Sequence, residues 1–210
     1  MKTNNPWYSI WTNPRKTILE IVNDNPEKNL WILSFIYGFV SILNSVQSFG
    51  LGDTQSLLTI LLIAVIFAPL WGRAVFAVWS GVVLLTGRWL KGKATFKTAQ
   101  AAFAWASVPL LINIVCWALL ILFFGVPLFN SDPNSFRVEG FFAFILVGAL
   151  ILKMVGAIWS LVIYINILSA VQKFSILRAI SNILFSWVVL GIFFILIWLI
   201  GKWGAVVLNR

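Results

Sequence analysis

Two cations, Arg73 and Lys153, interrupt long apolar stretches of the chain. At a bilayer centre each would cost about 2.5–3.5 kcal/mol on insertion scales, and every acid in the sequence falls outside those stretches. The chemistry such residues could carry is anion recognition, as a paired cationic site for a lipid phosphate or another anionic solute. The plainer alternative is two anchors whose long side chains snorkel to the headgroups. Counted along helices, Arg73 lies ~22 Å from Arg88 and Lys153 ~30 Å from Lys173, which places both in the outer leaflet.

The remaining composition excludes more than it offers. Histidine is absent, which removes the commonest general acid–base group and metal ligand. Cys116 is the single cysteine, so neither an intrachain disulfide nor a thiolate metal cage can form. The six acids are Glu20, Asp24, Glu27, Asp53, Asp132 and Glu139, leaving no intramembrane carboxylate for a proton relay. These absences point away from an enzyme, and no cofactor or metal is expected. The +9 net charge does not indicate nucleic acid, because the basic residues flank apolar stretches instead of coating a soluble face. Their expected role is topology and contact with anionic headgroups.

The elements that must position these residues are membrane helices. Five apolar stretches cover Leu30–Gly50, Leu57–Thr86, Trp105–Phe129, Phe141–Leu168 and Ile183–Leu208 of the 210 residues. About 20 apolar residues span the ~30 Å hydrocarbon core as a helix. With no water there, the backbone must satisfy its own hydrogen bonds, so helices are predicted throughout. The expected architecture is all-α and polytopic, with a cytoplasmic tail over 1–29 and a five-helix membrane domain over 30–210. The start, MKTNNPWYSIW, lacks the pattern of a cleaved signal peptide.

Charge sets the expected orientation. Lys2, Arg15, Lys16, Lys28, Arg88, Lys91, Lys93, Lys97, Lys173 and Arg178 fall on one side, against Arg137, Lys202 and Arg210 on the other. The positive-inside rule then puts the N-terminus in the cytoplasm and the C-terminus outside. Arg15, Lys16, Arg88, Lys91, Lys93 and Lys97 become candidate contacts for anionic lipid. In the tail, Asn13-Pro14 reads as an N-cap followed by proline at the first helical position. Ile18, Ile21 and Val22 form a stripe on the helix that follows, which Asn25-Pro26 stops. An interfacial amphipathic helix, with Trp7 and Trp11 at the headgroups, is one reading; a connector resting on the protein is the other.

An internal similarity lays WGRAVFAVWSGVVLLT (71–86) over ILKMVGAIWSLVIYIN (151–166), pairing Arg73 with Lys153, Trp79 with Trp159 and Ser80 with Ser160. Such a match suggests a parallel repeat of a two-helix unit. Asn44, Gln47, Asn113, Tyr164 and Asn166 are expected to hydrogen-bond between helices. Ala64, Ala68 and Gly72 recur every four residues, as do Gly156 and Ser160, which permits close helix approach. Pro69, Pro109 and Pro127 are candidate kinks. Trp105, Trp117, Trp187 and Trp198 read as packing residues.

The tail NPWYSIWTNPRKTILEIVNDNP, the five apolar stretches and the basic loop entering FKTAQAAFAWASVPLLI resemble the Yip (Ypt-interacting protein) family. Bacterial members open with a similar N-P-W-x-S-I-W-x-x-P-R segment and place an aromatic, a small residue and proline near the start of the third span, here Trp105 to Pro109. The resemblance covers nearly the whole chain and implies five spans with a cytoplasmic N-terminus. Eukaryotic members resemble secretory-pathway adaptors that associate with Rab-type GTPases through a longer polar tail. The short tail here points away from GTPase binding and towards a prokaryotic plasma membrane. The expected function is a non-enzymatic scaffold or adaptor that organises lipids or protein partners, with homo-oligomers possible. The alternative is a transporter or lipid-handling protein using Arg73 and Lys153.

Overall fold

Each apolar stretch forms a helix, and each boundary has a local cause. The computed structural model describes residues 5–132 and 139–208; Lys2, Arg137 and Arg210 of the charge count lie outside them. Eight α-helices run in order: α1 Pro6–Thr12, α2 Pro14–Asp24, α3 Leu30–Ser48, α4 Leu57–Trp89, α5 Phe96–Ala106, α6 Leu111–Phe124, α7 Phe141–Gln172 and α8 Ile176–Leu208. Five helical segments are long and apolar enough to cross a membrane, with α5 and α6 together forming the third. Among the described residues there are no strands, only an isolated bridge between Leu51 and Asn130.

Caps mark the starts. Ser56 Oγ accepts from Thr59 N–H at the head of α4, and Thr95 and Thr98 form a reciprocal capping box at α5. That box moves the third span upstream of its expected start at Trp105. The span begins at Phe96, and the Trp105–Pro109 segment lies in its middle. Proline has no N–H to donate and disfavours helical conformation in the residue before it. The chain accordingly passes through a 3-10 turn over Val108–Leu110 before α6 resumes.

α3 and α4 form the closest pair. A Cβ on Gly38 would overlap the Ala68 carbonyl, and one on Gly72 would overlap the Ser34 carbonyl, so the small-residue stripe of α4 is the contact surface. These contacts also fix the register. Ser34 lies opposite Gly72, so the 33-residue α4 overruns the 19-residue α3 at the end where the tail sits.

The tail docks onto that end. Asn5 caps α1 by accepting from Trp7 N–H, whereas Asn13 holds the N-cap position before Pro14 without a side-chain cap bond. Ile10, Ile18 and Ile21 are buried in one cluster with Phe76, Trp105 and Ile167. The apolar stripe of α2 therefore faces α5 and α7. Trp7 packs on Trp105 with ring centroids 5.3 Å apart, and Trp11 also rests against this core. At the far end, the two loops there are tied by Gly52 N–H to the Phe129 carbonyl (2.8 Å) and Gln47 Nε2 to the Leu128 carbonyl (3.1 Å).

α8 leaves the bundle. Thr86 Oγ1 donates to Asn182 Oδ1 at 2.6 Å and bonds Ser186 Oγ at 2.8 Å, fixing α8 to α4 near the tail end. Beyond Leu190 every residue through Lys202 is exposed. A Cβ added at Gly191 or Gly201 would meet nothing within 4 Å.

Candidate functional site: a polar cleft at the far end

Arg73 and Lys153 do not meet. The Arg73 guanidinium lies 5.0 Å from the centre of the Trp31 ring, at the start of α3. Its charge also reaches Glu27 in the turn before that helix. Arg73 is therefore level with the start of α3, beside the tail. Lys153 sits over the Trp117 ring at 4.0 Å and donates to Asn44 Oδ1 at 3.3 Å. Trp31 and Asn44 are 13 positions apart on α3, ~20 Å at helical rise. No paired cationic site forms.

The proposed repeat also lacks matching environments. Trp79 is buried while Trp159 is 43% exposed. Ser80 donates to its own helix at Phe76, whereas Ser160 crosses to the Ala106 carbonyl at 2.8 Å. The cause is packing: α4 lies chiefly on α3, and α7 on α5, α6 and α2.

Through its bond to Asn44, Lys153 stands beside a cleft that it does not itself line. α3 presents Tyr37, Ser41, Asn44, Ser45 and Ser48 on one face, a polar stripe at helical spacing. Across from it stand Leu110 and Asn113 after the 3-10 break, and Ala157 of α7, enclosing a cleft of about 460 Å³. Ser45 and Ser48 donate to carbonyls one turn back on α3. Ser41 Oγ accepts from Trp71 Nε1 at 3.0 Å. Asn113 is 6% exposed, and its Oδ1 is closed off without a hydrogen-bond partner. That oxygen lies toward Gly156.

A second chamber of about 340 Å³ adjoins the first through their shared residues Tyr37, Leu110 and Ala157. Its walls are aromatic. Trp79 Nε1 donates to Tyr164 Oη at 2.8 Å, and Phe103 packs on Tyr164 at 5.3 Å. Trp187 of α8 packs against Trp79 with ring centroids 5.0 Å apart and planes tilted by 53°. The small side chains of Ala106 and Ser107, where α5 ends, leave the space open.

Trp117 was legible only as a packing residue. In the fold one face carries Lys153, and the ring stacks with Phe129 at 5.4 Å and 7°. A cation held over an indole face is stabilised by about 0.5–2 kcal/mol, more where water is excluded. Asn113 lacks the interhelical bond expected of it, whereas Tyr164, Asn44 and Gln47 make theirs. Asn166 bonds its own helix at Val162.

The basic residues gather at the tail end. Arg15, Lys16, Arg88, Lys91 and Lys93 are exposed. Lys97 is also exposed but is engaged by Glu27 at 2.9 Å, a contact that holds the Glu27 carboxyl below the usual carboxylate range. The residues lining the two chambers include serine, asparagine, tyrosine and tryptophan and no carboxylate.

No curated protein and no solved structure shows significant similarity to the chain. The family comparison does: the Yip1 domain matches residues 8–199, from the tail helices through the exposed part of α8. With five apolar membrane-length helices and that match over nearly its whole length, the chain belongs to the Yip family of integral membrane proteins.

Proposed function

We propose that this protein is a non-enzymatic scaffold or adaptor of the cell membrane, N-terminus cytoplasmic and C-terminus outside, that organises partners within the bilayer. The observation that carries the reading is α8, in which every residue from Gly191 to Lys202 is exposed among the described residues. An apolar helix that leans out of its bundle offers close packing to a second copy or another membrane helix, the interaction that drives association in lipid. The test uses the single cysteine. With Cys116→Ala and a new cysteine at Ile192 or Leu196, oxidation in native membranes should yield a discrete cross-linked species. A strictly monomeric protein in mild detergent, with no adduct from either position in the membrane, would remove the scaffold reading.

A second reading, lipid handling, is supported by the cleft that α3 lines with Tyr37, Ser41, Asn44, Ser45 and Ser48, next to which the Lys153 ammonium is held by Asn44. The site of that reading is Lys153 without Arg73. Binding of phospholipid to the purified protein, read by native mass spectrometry, tests it directly, and complete delipidation without any change in stability would end it.

A further inference from the structure

The turn that joins α4 to α5 and the turn that joins α7 to α8 lie side by side at the tail end. Lys93 N–H donates to the Gln172 main-chain carbonyl and Ala94 N–H to Gln172 Oε1, each at 3.2 Å. A Cβ on Gly92 would overlap the Phe174 ring, so the two turns are in direct contact. The flanking helices are fixed as well, since Thr86 of α4 bonds Asn182 of α8, one helical turn beyond Arg178.

Both turns close in the same way. Gly92 N–H returns to the Gly87 carbonyl at 2.8 Å, and Phe174 N–H to the Ser169 carbonyl at 2.9 Å. This is the six-to-one bond that ends a helix through one left-handed residue, a position that ordinarily selects glycine. Here each turn places a lysine in it, Lys91 at φ +63° and Lys173 at φ +57°. A long side chain is strained there, and strain of this kind clusters at functional sites.

The neighbours extend the charge. Arg88, Lys93 and Arg178 are exposed together with Lys91 and Lys173, and residues 88–97 and 173–178 contain no acid. Lys97 is held by Glu27, but none of these five cations forms an ion pair among the described residues. Exposed Trp89, Phe96, Ile176 and Leu177 stand among them. Each turn is also a break between two apolar spans, and a polar connection between spans sits at a membrane surface. Cations mixed with tryptophan at such a surface suit anionic headgroups. A soluble acidic partner would use the charges but not the apolar residues that border the spans.

We propose that the paired turns form one binding site for the phosphate of an anionic phospholipid in the leaflet at the tail end, held jointly by Lys91, Lys93, Lys173 and Arg178. The site is separate from the cleft and does not depend on the α8 interface.

The test is thermal stability of the full-length protein in a neutral detergent at low salt. It is titrated separately with phosphatidylglycerol, phosphatidylcholine, inorganic phosphate and a hexaglutamate peptide. A ligand of the folded state raises the melting temperature by mass action. Phosphatidylglycerol should raise it saturably, and the other three should not. Lys91→Gln/Lys93→Gln and Lys173→Gln/Arg178→Gln should each weaken half-saturation roughly tenfold or more, as expected for two cations near an anionic surface. Lys28→Gln/Lys202→Gln, which removes two cations elsewhere, should respond as wild type. Salt gives a readout that needs no variant to fold: about 0.5 M sodium chloride should abolish the phosphatidylglycerol response of the wild type. The site is overturned by no response to phosphatidylglycerol, by equal stabilisation with phosphatidylcholine, by a response that salt leaves intact, or by an equal loss in Lys28→Gln/Lys202→Gln. A response that persists in either turn variant also overturns it, and would belong to the cleft or to general lipid binding. A full response to hexaglutamate or to inorganic phosphate would overturn the lipid and assign the turns to an acidic protein or a free anion. The scaffold reading is tested apart from all of these, by cross-linking of α8.

Discussion

At the scale of residues, the glycines of the α3–α4 contact give the sharpest expectation. Gly72 touches the Ser34 backbone, which cannot move aside as a flexible side chain would. Gly72→Ala should therefore destabilise the protein by about 1–3 kcal/mol, the usual cost of overpacking. Gly81 is also in α4, but a Cβ there meets nothing within 4 Å, so Gly81→Ala should change stability by less than about 0.5 kcal/mol. Thermal melts of the two variants in the same detergent measure the contrast. Equal melting temperatures would mean that α3 and α4 do not pack at this register. A similar comparison applies to Trp79→Phe. It removes the donor to the buried Tyr164 hydroxyl and should cost roughly 0.6–1.7 kcal/mol, the range of single polar contacts in membrane bundles.

At the scale of elements, the tail is a docked part of the bundle. Ile18 is fully buried against α5 and α7. Ile18→Asp places an unpaired charge there, so the tail should undock and trypsin should cut at Arg15, Lys16 or Lys28 far faster than in wild type. Unchanged cleavage would show that the stripe is not in contact. The Glu27–Lys97 bridge adds a pH dependence. Because Lys97 holds the Glu27 carboxyl below its ordinary range, the bridge supports docking above the unfolded carboxylate pKa. That support fades as pH falls through the lower folded value. Protection of the tail should drop between about pH 5 and pH 3, and Lys97→Met should flatten that drop. The effect should be small and salt-sensitive, since both partners are exposed.

At the scale of the whole molecule, the ends of the bundle differ in charge, and orientation is testable as a single property. A reporter active only in the cytoplasm should be silent at the C-terminus and active after Lys93. Neutralising Arg88, Lys91, Lys93 and Lys97 together should produce a mixed or inverted population, because it removes four of the ten cationic residues counted on that side. A uniform orientation in that variant would mean that the docked tail, with Arg15, Lys16 and Lys28, suffices to set it.

Solvent, helix content and span number were legible from hydropathy alone, because a bilayer forces every apolar stretch of sufficient length into the same hydrogen-bonded form. The tail motif pointed to the family, and the small-residue spacing in α4 identified its contact face. The start of the third span was missed because the Thr95–Thr98 capping box is a polar signal upstream of the apolar run. The separation of Arg73 from Lys153 was missed because helix length gives no register between neighbours; that register came from where Gly38 and Gly72 let two backbones touch. The cleft could not be read at all. Its walls come from α3, α7 and the segment around a broken turn, residues up to 120 positions apart in sequence. Which polar side chains share such a space depends on helix rotation and crossing, and those are decided only when side chains pack.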